Sequence, residues 1–105
     1  MLQITARDIA ALTGGALVGG ASGDELVTGT AQIDSREVGP GDLFAAFLGE
    51  SVDGHDFLAA AQTSGAAITL VTEDRGVPAV QVDDVQRALS VLAREQLGRA
   101  RRENP

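Results

Sequence analysis

The chain has 105 residues and a net charge of −7, with 15 acids against eight basic residues, all of them arginine, which argues against nucleic acid as a partner because phosphate binding needs clustered positive charge. It has no cysteine, which excludes disulfides, thiolate zinc sites and a cysteine nucleophile, and its single histidine argues against a transition-metal site. The length suits one domain with one core, and with Phe44, Phe47 and Phe57 as the only aromatics that core must be built from Val, Leu, Ile and Ala.

The first predicted element is a helix with Thr5 as N-cap and Asp8 three residues on, a capping-box pair, flanked by Ile4 and Ile9 at the positions of a hydrophobic staple. Gly14-Gly15 ends it, since glycine tolerates the left-handed conformation at a helix C-terminus. Ala16–Val18 reads as a short strand and Gly19–Asp24 as a loop. Leu26-Val27-Thr28 and Gln32-Ile33-Asp34 are two further candidate strands. Gly39-Pro40-Gly41-Asp42 is a turn, because proline presets one dihedral and the glycines permit the others.

Leu43–Leu48 is an unbroken apolar run, the pattern of a strand buried on both faces. Asp53 caps a predicted helix over Gly54–Ser64, closed by Gly65. Ala66–Val71 and Ala79–Val82 are two more buried strands. Asp83 with Gln86 forms a second capping box, opening a last helix whose apolar stripe includes Val85, Leu89, Leu92 and Ala93. Residues 98–105 are polar and read as the start of a linker. The order strand, helix, strand from Leu43 favours parallel pairing. The fold class expected is α/β, a small mixed or parallel sheet flanked by about three helices.

The charge is uneven. Residues 1–93 hold 13 acids and four arginines, whereas the last twelve hold four arginines and two glutamates. Those last arginines are read as a solvated helix end, where positive charge complements the helix dipole. No apolar stretch is long enough to span a bilayer and the N-terminus lacks a signal pattern, so a cytoplasmic location is expected.

Chemistry concentrates between Ile33 and His55. Asp34-Ser35-Arg36 leaves a candidate strand with a hydroxyl beside a guanidinium, a pairing that suits an anionic or sugar-phosphate ligand. The plainer alternative is a local ion pair between Asp34 and Arg36 that fixes the turn. Gly49-Glu50-Ser51-Val52-Asp53-Gly54-His55 follows the buried strand, and loops at the carboxyl ends of parallel strands are where α/β folds hold ligands. Capping is the expected task of Asp53. His55 has no nucleophile or third orienting group implied by spacing, so packing or hydrogen bonding is expected of it. The glycine pairs at 14–15 and 19–20 fit neither phosphate-loop fingerprint.

Two linked blocks, Ile33-Asp34-Ser35-Arg36 with Gly39-Pro40-Gly41-Asp42-Leu43-Phe44, and Gly49-Glu50 with Asp53-Gly54-His55-Asp56-Phe57, resemble the N-terminal domain of the Mur ligases. These are the bacterial ATP-dependent amide ligases of peptidoglycan synthesis. Ala66-Ala67 before Leu70-Val71, and Val77-Pro78 before the last strand, extend the resemblance over nearly the whole chain. Within the family the opening is most similar to members that add D-alanyl-D-alanine to UDP-N-acetylmuramoyl-tripeptide. Members that add the third, diamino acid residue to the dipeptide precursor come second.

The resemblance implies a three-domain enzyme using ATP and magnesium, with a central ATP-binding domain and a C-terminal domain as partners of this one in the same chain. The reaction it implies passes through an acyl phosphate. It implies that residues 1–105 form a single domain holding the uridine nucleotide end of UDP-N-acetylmuramoyl-peptide, without catalytic or metal-binding residues. Carried over position by position, Ile33 and Ser35 contact the uridine diphosphate portion, with Asp34 and Arg36 in the same motif. Gly49, Glu50, Ser51 and Val52 form the second contact loop. The family often places a basic residue and an aromatic after Gly-Glu, where this chain has Ser51 and Val52, so binding is expected to rest more on backbone and on Ser35. Two alternatives stay open: a stand-alone, non-catalytic binding module, and a complete small enzyme using His55.

Overall fold

The computed structural model describes residues 3–47 and 52–103. Seven strands and three α-helices follow in the order β1 (Ile4–Thr5), α1 (Ala6–Thr13), β2 (Ala16–Val18), β3 (Leu26–Val27), β4 (Ala31–Gln32), β5 (Leu43–Ala45), α2 (Leu58–Thr63), β6 (Ile68–Val71), β7 (Ala79–Gln81) and α3 (Val85–Glu103). Single 3₁₀ turns at Ser35–Glu37 and Gly54–Phe57 follow β4 and precede α2.

The main sheet runs β2-β7-β6-β5-β4, and β1 pairs with β3 in a separate two-stranded ribbon. Strands β4, β5, β6 and β7 are parallel, while β2 closes one edge antiparallel to β7. The expected α/β class, with a mostly parallel small sheet and three helices, is what the chain adopts. β6 and β7 are joined through residues 72–78 alone, shorter than the dozen or more residues that usually link parallel strands. That connection doubles back through Gly76, whose φ of 80° only glycine adopts readily.

The alternation of side chains along each strand divides the core in two. Leu43, Ala45, Ile68, Leu70 and Val80 face α1 and α3, packing on Ala6, Ile9, Val85, Ala88 and Leu92. Phe44, Ala46, Val71 and Ala79 face the other way, onto Leu58 and Ala61 of α2. A helix or sheet face buried on both sides in this manner accounts for the continuous apolar runs in the sequence.

α1 begins as expected. The Thr5 hydroxyl accepts from the Asp8 N–H at 3.2 Å, the Asp8 carboxylate accepts from the Thr5 N–H at 3.5 Å, and Ile4 and Ile9 are both buried. Gly14 caps its end at φ 72°. α3 departs from expectation at its start: Asp84, not Asp83, is the cap, its carboxylate accepting from the Arg87 N–H at 3.1 Å. With Val85 rather than Asp84 as the first helical residue, Gln86 falls one position short of a capping box. The buried stripe is Val85, Ala88 and Leu92, with Leu89 half-buried and Ala93 exposed. Residues 98–103, read as linker, continue α3.

The candidate strand Gln32–Asp34 is shorter than expected and shifted, because Asp34 turns back to cap the 3₁₀ turn instead of continuing the ladder. The helix expected from Gly54 opens as a 3₁₀ turn capped by Asp53 and becomes α-helical only at Leu58. The strand expected over Ala66–Val71 begins at Ile68, and the one beginning at Leu43 ends at Ala45, its last expected residue, Leu48, lying outside the described residues.

Asp42 ties the entering ends of three strands together. Its carboxylate accepts from the Thr30 and Gly39 N–H groups, both at 2.9 Å, and its carbonyl accepts from the Ala67 N–H at 2.8 Å. The residue is almost fully buried, so removing the carboxylate strands two backbone donors. Asp42→Ala is expected to lower the unfolding free energy by about 3 kcal/mol. Thr5→Ala, which removes only a helix cap, is expected to cost about 1 kcal/mol. Chemical denaturation of the two variants checks both the sign and the order.

Candidate functional site

A groove of about 580 Å³ opens beyond the carboxyl ends of β4 and β5, lined by Ile33, Asp34, Ser35, Arg36, Phe44, Phe47, Val52, Gly54 and Phe57. The parallel register produces it: with Gln32 opposite Phe44, both chains leave the sheet at the same edge, one into the Ser35 turn and the other through Phe47. Of the site residues expected from the sequence, Ile33, Asp34, Ser35, Arg36 and Val52 are thereby brought together around one cavity. Gly49, Glu50 and Ser51 lie outside the described residues.

The groove is apolar with a polar wall. Ile33, Val52 and Phe57 are 63 %, 55 % and 41 % exposed, and they are the groove's share of the large apolar side chains left on the described surface, the others being Leu12 and Leu26. Phe44 lies buried at its base. Sequence reasoning assigned Phe44, Phe47, Gly54 and Phe57 no ligand role of their own. The signal was present all the same, since Phe44, Phe47 and Phe57 are the whole aromatic content of the chain and all three converge here.

On the polar wall, Asp34 accepts from the Arg36 backbone N–H at 2.9 Å and from its Nε and Nη2 at 3.0 and 2.8 Å. The local ion pair anticipated as the plainer alternative is therefore formed. It does not remove Arg36 from the groove, because the guanidinium remains 86 % exposed and lines the cavity. Hydrogen bonds from the Arg36 side chain and backbone hold the Asp34 carboxyl down to about 2, and the same pairing raises Arg36.

The opposite wall is fixed from behind. The Gly54 N–H donates to the Phe47 carbonyl at 2.7 Å, and a Cβ at Gly54 would lie 2.7 Å from the Phe47 nitrogen. Asp53 accepts from the His55 N–H at 2.9 Å and from its Nδ1 at 2.7 Å, so it caps as expected. The buried His55 ring accepts the Thr72 N–H at Nε2, 3.1 Å away, which places its proton on Nδ1. Packing and hydrogen bonding are thus what His55 does, and the groove does not include it.

Asp53, His55 and Glu73 bring one ligand-type atom each within 4.8 Å of one another. Both histidine nitrogens are occupied, however, and Glu73 pairs with Arg75 at 2.7 Å, so the cluster is a closed hydrogen-bonded network. Arg75 also reaches Asp53 at 3.2 Å and Asp56 at 3.4 Å. Hydrogen bonds from His55 lower the Asp53 carboxyl, and the hydrogen bond from Arg75 lowers that of Glu73. A smaller cavity of about 250 Å³ lies between Phe47, Thr72 and the start of α3, where Asp83 and Asp84 line it and disfavour an anion.

The family pattern described as "Mur ligase family, catalytic domain" matches residues 30–97. Over 96 residues, and 89 % of its length, the chain is 44 % identical to the UDP-N-acetylmuramoyl-tripeptide--D-alanyl-D-alanine ligase of Mycobacterium tuberculosis. It is 39 % identical over 85 residues to the UDP-N-acetylmuramoyl-L-alanyl-D-glutamate--2,6-diaminopimelate ligase of Chlorobium phaeobacteroides, covering 75 % of this chain and 17 % of that protein. Among solved structures, a crystal structure of MurF from Acinetobacter baumannii superposes with a TM-score of 0.74 at 26 % identity, over 88 % of this chain and 20 % of that one. The chain spans about a fifth of the length of the curated relatives it matches first, 19 % of the mycobacterial ligases.

The Asp34–Arg36 pair yields a pH test. The folded carboxyl lies below its ordinary value of 3.8, so its stabilisation is complete above about pH 4 and is lost as pH falls towards about 2. A carboxyl-carbon NMR titration is expected to show Asp34 with a midpoint near 2, moving back up in Arg36→Gln. A midpoint unchanged by that substitution would show that the Arg36 side chain does not hold it.

Proposed function

This chain belongs to the Mur ligase family, and on that premise we propose that its groove receives the uridine diphosphate end of a UDP-N-acetylmuramoyl-peptide. The observation that carries the proposal is the convergence at one sheet edge of three phenylalanines, exposed Ile33 and Val52, and the Ser35 hydroxyl beside Arg36. Aromatic and aliphatic side chains offer a face for a flat base and sugar. Ser35 offers a hydrogen bond, and the exposed fork of Arg36 offers charge-assisted donors to phosphate. Because Asp34 already holds part of that guanidinium, the diphosphate gains less from Arg36 than from a free arginine. The remaining contact falls to the Ser35 hydroxyl and to backbone N–H groups, with Gly49, Glu50 and Ser51 proposed as further contact residues from the family motif.

In this reading the 105 residues are a single recognition domain of a longer ATP-dependent amide ligase, cytoplasmic and engaged in peptidoglycan precursor synthesis. The activity proposed for the longer protein is addition of D-alanyl-D-alanine to UDP-N-acetylmuramoyl-tripeptide. Ligases of that name match at 44 % identity over 89 % of the chain, whereas a diaminopimelate ligase that reaches 47 % does so over only 59 % of it, and this wider match favours addition of D-alanyl-D-alanine over addition of the third residue. The phosphate loop that would hold ATP is assigned in this reading to a part of the longer protein outside these residues. The chain has no lysine, Gly14 is a helix cap, and Gly19 and Gly20 form a turn instead of a phosphate cradle. The proposed partners that would supply that chemistry are a central ATP-binding domain and a C-terminal domain of the same chain. Among the described residues no helix is long and apolar enough to cross a membrane.

Calorimetric titration with UDP tests the groove. Ser35→Ala is expected to weaken UDP binding about fivefold, the worth of about 1 kcal/mol for one hydrogen bond. Ser90→Ala, which removes a hydroxyl bonded only within α3, should leave it unchanged. Equal affinities for the unaltered chain and Ser35→Ala would place the diphosphate elsewhere.

A further inference from the structure

The wall formed by Val52, Gly54 and Phe57 is held in part by groups that do not line the groove. Its stem is fastened at three points. The first is the 2.7 Å hydrogen bond from Gly54 to Phe47, and the second is the buried His55 ring, which bridges Asp53 and Thr72 at the end of β6. The third is Arg75, in the connection between β6 and β7. Its Nη2 meets Asp53 at 3.2 Å and its Nη1 meets Asp56 at 3.4 Å, while Glu73 holds its Nε at 2.7 Å. One guanidinium thus spans two residues of the 53–57 segment and is oriented by a carboxylate of its own loop.

We propose that Arg75 is a positioning residue for the ligand groove: by clamping Asp53 and Asp56 it sets the stem that carries Val52, Gly54 and Phe57. The inference rests on the groove being the uridine diphosphate site. Three carboxylates, Asp53, Asp56 and Glu73, share this cation. Without it Asp53 and Asp56 repel one another across one turn, and their charge stands uncompensated near an incoming diphosphate. Arg75 reaches the ligand only through these residues, since it is not among those lining the groove. It differs from His55 in being separable from folding. His55 is buried with both nitrogens bonded, whereas the Arg75 side chain is 36 % exposed and its ion pairs lie at the surface, where they add little to stability.

The test compares UDP affinity, melting temperature and unliganded amide spectra of the chain with Arg75→Met and Arg75→Lys. Arg75→Met is expected to weaken UDP binding about fivefold with its melting temperature nearly unchanged, and to shift the Val52 and Gly54 amides before any ligand is added. Arg75→Lys, which keeps the charge but not the fork, is expected to recover part of the affinity. If the unaltered chain binds UDP and Arg75→Met binds it equally well, the positioning role is overturned while the groove stands. Equal weakening in both variants together with a large fall in melting temperature also overturns it, as general destabilisation. If the unaltered chain does not bind UDP, the groove is not the site and the role of Arg75 falls with it.

Discussion

A single buried residue, Asp42, acting through both its carboxylate and its backbone carbonyl, sets the geometry on which the groove depends. Asp42 binds the N–H of Thr30 just before β4, stands immediately before β5, and takes the Ala67 N–H just before β6. Three parallel strands are thus brought into line at their entering ends. A parallel ladder started in register leaves its carboxyl ends together, and that is where Ile33 to Arg36 and Phe47 emerge side by side. The energetic reason is the asymmetry of buried hydrogen bonding: a satisfied buried carboxylate adds modestly, but two stranded N–H groups cost far more. Close packing enforces the same arrangement, since a Cβ on Gly29 would collide with the Asp42 carboxylate.

The two faces of the sheet divide the work that follows. One face, against α1 and α3, holds the larger cluster of buried aliphatics and is committed to stability. The other, against the short α2, is more lightly covered, and there Phe44 passes from core to groove floor. Because α2 has only six residues and opens through a 3₁₀ turn, it leaves the sheet's edge beyond β4 and β5 open among the described residues. The exposed Ile33, Val52 and Phe57 follow from that shortness, and so does the concavity they border.

Local signals survived from sequence to structure where the decisive interaction is local. The Thr5–Asp8 box, the Gly14 stop and the Asp53 cap each depend on neighbours a few residues away, while the buried strands were legible because their continuous apolar runs demand burial on both faces. Adjacent equivalents were harder to separate: Asp83 and Asp84 offer the same cap, and the docking of Val85 into the core chose the second. Asp34 had two possible employments, ladder and turn cap, and its charge pairing with Arg36 settled it as a cap. The site followed the same division. Ile33, Ser35 and Val52 could be singled out by motif, but their meeting with Phe44, Phe47 and Phe57 is a product of strand register, which no local pattern encodes. The proposed role of Arg75 was invisible for the same reason, since Asp56 and Asp53, the partners it would clamp, lie 19 and 22 residues away.

The central claim is that the cavity beyond β4 and β5 is where the diphosphate-bearing ligand sits. The most direct measurement is an amide-resolved NMR titration of the chain with UDP. Saturable shifts concentrated at residues 33–36, 47, 52 and 54, with Thr72 and Asp83 to Gln86 unmoved, are the predicted result. Shifts centred on the smaller cavity at the start of α3, with Ser35 and Val52 silent, would contradict it.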